Sequence, residues 1–384
     1  MKSEWTKMKL SDIADFNPRE TIKKGEIAKK ISMDVLRPFY RDVPYYTEEC
    51  FSGGTKFRNG DTIMARITPC LENGKTAQVS ILNDGEVGFG STEYIVFRAK
   101  EGIADKDYLH YLVCSPEVRE PSIKSMVGSS GRQRVQTDVV KNLEIDVPPL
   151  VEQRKIGSFL KSIDDKIALN DKINNNLEQQ AQAIYQQMFI DNASSEWAEG
   201  TLSDIADITM GQSPSGSSYN EDGTGTIFFQ GRAEFGFRFP TVRLYTTEPK
   251  RMACANDTLM SVRAPVGDLN VAHIDCCIGR GLAAIHSKNN HQSFVLYTMF
   301  SLKKQLDVFN GEGTVFGSIN RKSLNEIPIL IPSSEKLDEF EALVAPMDAA
   351  IRNNYDEICR LVQLRDSLLP KLMSGKLDVS DIKL

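Results

Sequence analysis

A glycine-bounded loop holds the side chains of this sequence that are best suited to bind a ligand. GSSGRQRVQ (128–136) places Arg132, Gln133 and Arg134 beside glycines, which allow close approach of the backbone to another molecule. Arginine and glutamine can donate hydrogen bonds to phosphate oxygens and to the edges of bases. This loop is therefore our first candidate for contact with a nucleic acid.

A second loop, GTVFGSINRK (313–322), matches the first in position and texture. Cations and short polar side chains on a loop are the types that anchor phosphates and read bases. Its candidate DNA-binding residues are Ser318, Asn320, Arg321 and Lys322.

Other cations lie outside these loops. Arg66 and Arg263 follow the matched strands DTIMA and DTLMSV, where they can anchor phosphates, and Arg232 lies in the Gly-rich loop QGRAEFGFR. Lys23 and Lys24 begin the densest basic run of the chain. Two other interpretations stay open: the lysines form a solvated helix face, and the two strand-end arginines pair with acidic residues.

Motifs for catalysis are missing from the sequence. The four histidines form neither an HxxxH nor an HExxH pair, and LENGKT (71–76) fails as a P-loop because Pro69 stands where that motif needs its first glycine. Seven scattered cysteines without a CxxC pair indicate free thiols in a reducing cytoplasm. We therefore expect a non-catalytic, cytoplasmic protein that binds no metal.

The net charge of −6 gives DNA binding no support by itself. Residues 151–196 and 335–384 carry −5 of it, so the remaining segments are nearly neutral. A neutral domain can still present one basic face to DNA. At 384 residues and 41% hydrophobic composition, the chain suits two or three soluble domains, and it has no apolar run of the ~20 residues that span a bilayer.

The elements that must position these candidates are duplicated. EWTKMKLSDIAD (4–15) returns as EWAEGTLSDIAD (196–207), and NLEIDVP (142–148) aligns with EIPILIP (326–332). Self-similarity of this kind is a stronger guide to the architecture than any local pattern is. It predicts a pseudo-twofold molecule that meets two similar targets, or one target with two similar halves.

Each repeat contains two segments with different sequence patterns. Residues 1–150 and 196–334 have short β-rich runs broken by Gly, Asn, Asp and Pro, and each has one helix pattern, which predicts an α+β head. Residues 151–195 and 335–384 carry apolar residues at alternating steps of four and three, which predicts a long helix with a coiled-coil seam. The predicted fold is two similar heads joined by two long antiparallel helices.

The seam predicts which helix residues pair. Because a pseudo-twofold axis would cross the middle of both helices, Asn170 and Asn354 are predicted to approach each other, although solvent-facing positions stay open for them. The predicted pairing residues are Ile163, Ile167, Asn170, Leu177, Met347, Ile351, Asn354 and Leu361. The residues predicted to be exposed on the outer helix faces, for partner helices, are Tyr185, Phe189, Leu364 and Leu369.

Several motifs in this order resemble the specificity (S) subunits of Type I restriction–modification systems. IDVPPLVEQRKIGSFLKSIDDKI (145–167) is similar to the central conserved region of that family, and LRDSLLPKLMSGKLDV (364–379) to its C-terminal ending. NGDTIMARI (59–67) and ANDTLMSVR (255–263) fit the same family. The second helix start departs from the pattern, because PSSEKLDEF replaces Pro-Pro-x-x-Glu-Gln. The resemblance covers the whole chain.

The resemblance implies a division of tasks. Each head would be a target recognition domain that reads one half of a bipartite, asymmetric DNA site, and the helices would set the gap between the half-sites. The helices would also dock two methyltransferase subunits, which carry S-adenosylmethionine. Two motor–nuclease subunits, which use ATP and Mg²⁺, would join for restriction. The chain itself would bind no cofactor.

Two other classes of function stay open. A non-enzymatic adaptor, with two heads on a coiled coil, would bind proteins rather than DNA, which the near-neutral heads allow. A self-contained nuclease or nucleotide-dependent enzyme is disfavoured by the missing motifs. Metal- or nucleotide-dependent activity of the isolated chain would distinguish the enzyme from the other two.

Overall fold

The computed structural model describes residues 5–129, 131–311 and 317–379. Ser130 and residues 313–316, which belong to the two predicted DNA-contacting loops, lie outside the described residues. Among the described residues, no helix has the length and apolar character needed to cross a bilayer.

The chain divides into two compact units. The first is Met1–Asp171 with Tyr355–Leu384, and the second is Lys172–Asn354. Each unit contains one head and part of each long helix, since the division crosses both helices. The division into four segments that the sequence suggests stays a prediction.

The first head is a mixture of short strands and short helices. Its strands are β1 (Thr6–Lys9), β2 (Ala14–Phe16), β3 (Ile27–Ile31), β4 (Thr47–Cys50), β5 (Thr55–Phe57), β6 (Thr62–Ala65), β7 (Thr76–Gln78), β8 (Gly88–Gly90), β9 (Tyr94–Ala99) and β10 (Glu144–Val147). Its helices are α1 (Leu10–Ile13), α2 (Lys106–Cys114), α3 (Pro116–Lys124) and α4 (Thr137–Lys141), followed by the long helix α5 (Leu150–Tyr185). The strand orders are β1-β10, β2-β9-β6-β7 and β4-β3-β8-β5.

The second head repeats much of this arrangement. Its strands are β11 (Ala198–Thr201), β12 (Ala206–Met210), β13 (Tyr219–Asn220), β14 (Thr226–Phe229), β15 (Tyr245–Thr246), β16 (Met252–Ala253), β17 (Thr258–Ser261), β18 (Leu269–Val271), β19 (Cys276–Ile278), β20 (Leu282–Ser287) and β21 (Pro328–Ile331). Its helices are α6 (Leu202–Ile205), α7 (Gln292–Ser301), α8 (Lys303–Asp307) and α9 (Arg321–Asn325), followed by the long helix α10 (Ser334–Met373). The orders β11-β21 and β12-β20-β17-β18 reproduce two sheets of the first head, beside a sheet of order β13-β15-β14-β19-β16.

The repeated LSDIAD motif forms the same structure twice. Ile13 is fully buried in α1, and the Asp12 carboxylate accepts a 2.9 Å hydrogen bond from the backbone N–H of Lys9. In the second head, Asp204 accepts the matched bond from Thr201 at 2.7 Å. A carboxylate three residues into a helix satisfies the free N–H before its first turn. The motif therefore builds, in both heads, a capped turn that leads into a strand.

The sheet β2-β9-β6-β7 of the first head separates two apolar clusters. Ile63 pairs with Val96 and Met64 with Ile95 across β6 and β9. Ile63 and Val96 lie in one cluster, whereas Met64 and Ile95 lie in the other, which also contains Tyr108 of α2. Because side chains alternate between the faces of a strand, a sheet covered on both sides needs apolar residues at every position. This explains why Ile63, Met64 and Ala65 of β6 are all apolar.

The long helices bury the positions of the predicted seam. Within the first unit, Ile163 and Ile167 of α5 share a cluster with Ile358 and Leu361 of α10. Lys166 lies 3.2 Å from Glu357 in the same region. The buried members of the predicted set are Ile163, Ile167, Asn170 and Ile351, and the half-buried ones are Leu177, Met347, Asn354 and Leu361.

Each of the two matched asparagines has a hydrogen-bond partner on the other long helix. Asn170 is fully buried and donates to Glu357 at 2.8 Å, and its side-chain oxygen has no hydrogen-bond partner among the described residues. Asn354 donates to the side-chain oxygen of Asn174 at 2.8 Å. The prediction that Asn170 and Asn354 approach each other stays a prediction.

The aromatic residues near the end of α5 are buried, which contradicts their predicted exposure. Tyr185 and Phe189 pack against Phe294 and Phe340, with ring centroids 4.9–5.9 Å apart. Phe189 lies in a π-helical turn, Gln186–Asp191, which follows α5. These rings join the core of the second unit. Of the residues predicted to be exposed, Leu364 is exposed and Leu369 is half-buried.

Candidate nucleic-acid interface

The loop 128–136 of the first head is fixed to the segment that follows β6. The N–H of Thr68 donates to the carbonyl oxygen of Gln133 at 3.0 Å, and the N–H of Gln133 donates to the Thr68 hydroxyl at 2.8 Å. The N–H of Val135 donates to the carbonyl oxygen of Arg66 at 2.8 Å. These bonds place Arg66 and the loop on one continuous surface of the head.

The second head makes the same connection with its matched residues. The N–H of Ala264 donates to the carbonyl oxygen of Gly317 at 3.0 Å, and the N–H of Ile319 donates to that of Val262 at 3.1 Å. Each of these bonds has its counterpart between the loop and the post-β6 segment of the first head. The two loops that the sequence matched are therefore held in the same way.

Arg134 is engaged by an acidic residue. Its guanidinium donates to both carboxylate oxygens of Glu93 at 2.7–3.0 Å, and Nε of Arg66 lies 4.0 Å from the same carboxylate. The hydrogen bonds from Arg134, together with its charge, hold the pKa of Glu93 below its ordinary value. The sequence left open that Arg66 pairs with an acidic residue. Its position beside the Glu93 carboxylate agrees with that interpretation.

The other two candidates of the first loop differ in exposure. Arg132 is exposed and forms no ion pair within the described part of the chain, so its charge is free to meet a phosphate. Gln133 is half-buried, and its backbone N–H donates to Thr68, which holds the loop in place. The loop thus presents one free cation and one neutralised cation.

The lysine run that leads into β3 likewise contains both free and ion-paired cations. Lys23 and Lys24 are exposed in the segment before this strand. Farther along, Lys29 lies 2.9 Å from Glu86 and is buried beside the ring of Tyr46. Only the first part of the run therefore offers free charge at the surface.

The candidates of the second head lie around the start of α9. Asn320 caps this helix, since its side-chain oxygen accepts a 3.0 Å hydrogen bond from the N–H of Ser323. Lys322 lies 3.9 Å from Glu326, one turn farther along. The exposed candidates of this head are Arg263, Ser318, Asn320, Arg321 and Lys322.

Arg232 lies apart from that group, in an open cleft of about 650 Å³. The cleft is lined by Arg232, Phe235, Asp268 and Lys303, among others. Arg232 pairs with Asp268, and Lys303 lies 3.6 Å from the same carboxylate. The acidic residue offsets part of the positive charge of the two cations, so this cleft is a weaker anion site than its basic residues suggest.

A small cavity of about 60 Å³ in the first unit is lined by His110 and Cys114, among others. Burial lowers the pKa of His110 to about 3 and raises the pKa of Cys114 to about 12. The imidazole is therefore neutral and the thiol protonated near pH 7. Within residues 5–129, 131–311 and 317–379, no group of three His, Cys, Asp or Glu side chains lies close enough to hold a metal ion.

Two residues that shape the interface were overlooked in the sequence. Glu93 sets the charge state of the first loop, and Thr68 fixes its position. Thr68 precedes Pro69, and its match Ala264 precedes Pro265, so the repeated X-Pro pair could have marked this segment. Glu93 has no comparable signal, because its partner Arg134 is 41 residues away in the chain.

Comparison with known proteins identifies the family of domains to which the two heads are similar. The family described as Type I restriction modification DNA specificity domain matches residues 2–179 and 194–339. The chain belongs to this family. Each matched segment contains one head with its post-strand segment, so the specificity domain occurs twice in this chain.

Individual members of the family show how far the likeness extends. A Methanocaldococcus jannaschii protein named for the MjaX type I restriction enzyme specificity subunit is 33% identical over 258 residues, which cover 62% of this chain and 60% of that protein. The match therefore spans about 60% of that relative's length. The HindI specificity subunit of Haemophilus influenzae is 22% identical over 468 residues and covers 98% of this chain and 100% of that protein.

A solved structure supports the fold. The S subunit of a type I restriction–modification system from M. genitalium has a TM-score of 0.59 at 16% identity, and the match covers 97% of this chain and 96% of that one. At this identity the likeness concerns the fold alone. The two-domain, mixed helix and sheet fold of the specificity subunits is therefore the fold of this chain.

Proposed function

We propose that this chain is the DNA specificity subunit of a type I restriction–modification complex. Each head reads one half of a bipartite, asymmetric DNA site through the loop that is fixed to its post-strand segment. The observation that carries the proposal is the repetition of this loop connection in the two segments that match the specificity family. Two equivalent surfaces on one chain suit a site with two halves.

The long helices act as the spacer between the half-sites. We assign them to an antiparallel coiled coil, which is supported by the contacts of Ile163 and Ile167 with Ile358 in one unit and by the Asn354–Asn174 hydrogen bond in the other. A helix rises ~1.5 Å per residue, so the length of the pair fixes a distance along the DNA.

The outer faces of the helices dock two methyltransferase subunits. Leu169 of α5 and Leu364 of α10 are 50% and 45% exposed, and apolar side chains at this exposure favour a partner surface. The methyltransferase subunits bring S-adenosylmethionine, and two motor–nuclease subunits bring ATP and Mg²⁺ for restriction. In this scheme the chain is non-catalytic, binds no cofactor and works in the cytoplasm.

Family membership favours this function over a protein-binding adaptor. The heads match DNA specificity domains over their whole length, and the exposed candidates Arg132, Arg263 and Arg321 are suited to phosphates. An adaptor would need no repeated basic loop.

A map of adenine methylation in the host genome, with and without this gene, tests the proposal. Loss of methylation at one gapped, two-part motif in the deletion strain, restored by the intact gene, is the expected result. Restoration should fail with a gene that lacks the second head. Identical maps in the two strains, with the protein and its methyltransferase expressed, would count against a specificity function.

A further inference from the structure

In the first unit, the head is tied to both long helices by a buried tyrosine, aspartate and arginine. The hydroxyl of Tyr111 in α2 donates to Asp164 of α5 at 2.6 Å. Arg365 of α10 donates to the other oxygen of Asp164 at 2.7 Å and to the carbonyl oxygen of Phe39 in the head at 3.1 Å. The exposed fractions of Tyr111, Asp164 and Arg365 are 2%, 6% and 7%.

The second unit contains the same three residue types. The hydroxyl of Tyr297 in α7 donates to Asp348 of α10 at 2.9 Å. Arg238, only 4% exposed, donates to Asp348 at 3.1 Å and to the Tyr297 hydroxyl at 3.1 Å, and it lies 3.0 Å from the carboxylate of Glu178 on α5. One arginine of the head therefore reaches both long helices.

The two triads are matched in position but not in origin. Asp164 and Asp348 occupy equivalent places in the repeat, and each lies 14 residues beyond the start of its helix, which is about 21 Å along the axis. The tyrosine comes from the head in both units. The triad arginine comes from α10 in the first unit and from the head in the second. The first head also supplies the buried Arg41, which lies 2.6 Å from Asp165 of α5.

The chemistry of the triads favours a fixed geometry. Burial raises the pKa of both tyrosines above its ordinary value, so each hydroxyl stays protonated and keeps donating. A buried arginine that lost its aspartate would be left without a full partner, which strongly disfavours any motion that separates them. Each head is thus held at the start of its helix by the chain itself and again about 21 Å farther along by the triad.

We propose that Tyr111, Asp164 and Arg365, with Tyr297, Asp348 and Arg238, are positioning residues that set which gap between half-sites the protein accepts. The inference rests on the proposed DNA specificity function. A change of one base pair in the gap moves a half-site by about 3.4 Å and turns it by about 35° around the DNA axis. A head that the triad holds farther along its helix cannot follow this displacement, whereas loss of the triad weakens the hold at that point and lets the head pivot towards the shifted half-site.

The test uses the complete complex of this chain with its methyltransferase subunits. A DNA library carries both half-sites, as the genome map defines them, with the gap lengthened or shortened in steps of one base pair. Tyr297→Phe and Asp348→Asn in the second unit and Tyr111→Phe in the first remove hydrogen bonds of the triads with little change of shape. We expect the ratio of methylation at the native gap to that at neighbouring gaps to fall by about tenfold, as loss of one buried hydrogen bond to a charged group implies.

Matched controls separate positioning from general destabilisation. Tyr108→Phe removes a buried hydroxyl from the same helix as Tyr111 that has no partner among the described residues, and Tyr219→Phe removes a bond to Pro214 within the second head. Both controls should keep the native gap ratio. If the triad variants slow methylation equally at every gap, the residues are merely structural and the inference is wrong. If the unaltered complex methylates no library member, the proposed function itself fails.

Discussion

The guanidinium of Arg134 donates to both carboxylate oxygens of Glu93, whereas Arg132, two residues earlier in the same loop, forms no ion pair within the described part of the chain. The two arginines look equivalent in the sequence, but their charges are not equally available. A phosphate must compete with Glu93 for Arg134 and meets no such competitor at Arg132. This difference yields separate expectations for the two side chains.

Replacing Arg132 with Ala should weaken DNA binding by the assembled complex and lower the slope of log K against log salt by about 1. Arg134→Ala should have a smaller effect on both quantities, because Glu93 already neutralises that charge. Titrations between about 50 and 200 mM salt measure the slopes. Lys124→Ala, which removes an exposed cation of α3, serves as the control. Equal effects of the two arginine variants would show that Glu93 does not weaken Arg134.

Glu93→Gln should have the opposite effect, since it releases Arg134 and removes a negative charge beside Arg66. We expect tighter binding to DNA of any sequence and a salt slope steeper by about 1. The same titrations measure it, with Glu120→Gln as a control on an exposed acidic residue of α3. An unchanged slope would mean that the released guanidinium does not reach a phosphate.

The same ion pair predicts a dependence of stability on pH. Because the pKa of Glu93 is lowered in the folded state, the pair stabilises the protein above the ordinary glutamate pKa of about 4.3. This contribution is lost as the pH falls through the lowered folded pKa. The difference in melting temperature between the protein and Glu93→Gln should therefore be constant from neutral pH to about pH 5 and shrink below it. A difference that persists far below pH 4 would contradict this assignment.

Removal of one member of the buried triad should cost more stability than removal of a surface pair. Asp164→Ala leaves Arg365 buried with only part of its hydrogen bonding, at a cost of about 3–5 kcal/mol in the free energy of unfolding. Urea denaturation followed by circular dichroism measures this free energy. Glu120→Ala, which breaks an exposed pair with Lys124, should cost less than about 1 kcal/mol. Similar losses for both variants would argue against a closed triad.

A substitution in the aromatic cluster should affect folding, whereas a substitution of the exposed leucine should affect assembly. Phe189→Ala removes a ring that packs on Phe294 and Phe340 and should destabilise the isolated chain by about 3–5 kcal/mol. Leu364→Ser should leave that stability within about 0.5 kcal/mol but weaken binding of a methyltransferase subunit. Thermal unfolding and sedimentation of the mixed subunits measure the two effects. Normal assembly of the Leu364 variant would place the docking surface elsewhere.

Lengthening both helices tests their role as a spacer. Insertion of four residues after Asp171 and after Asn354 extends each helix by about 6 Å and leaves both heads and triads unchanged. We expect the methylated motif to keep its half-sites and to gain a longer gap. An insertion in a surface loop of the second head, after Asp222, is the control and should not alter the gap. Altered half-sites with an unaltered gap would exclude the spacer role.

Features that depend on local pattern could be predicted from the sequence. The alternating steps of four and three found the buried face of α5 and α10, and the LSDIAD repeat found the duplication of the heads, in each of which it forms the same capped turn. These patterns are short-range, and the physics that selects them acts within a few residues.

Features that depend on tertiary pairing could not be predicted in the same way. The register that joins Asn354 to Asn174 depends on how two distant helices pack, and the burial of Phe189 depends on rings more than 100 residues away. Arg365 continues the alternating steps of four and three in α10, but its burial is explained by its hydrogen bonds to Asp164 and to the carbonyl oxygen of Phe39. Partners of this kind are set by the fold as a whole.

The unequal origin of the two triad arginines has a genetic consequence. A foreign gene segment recombined into the first head position would meet Arg365 already present on the resident helix. The incoming head must supply a tyrosine in place of Tyr111 and a cation in place of Arg41, which pairs with Asp165 of α5. A segment recombined into the second position must bring its own counterpart of Arg238, or Asp348 and Glu178 lose the cation that they share. Natural exchange of heads should therefore retain a buried cation in each incoming head, one that faces Asp165 at the first position and one that faces Asp348 and Glu178 at the second.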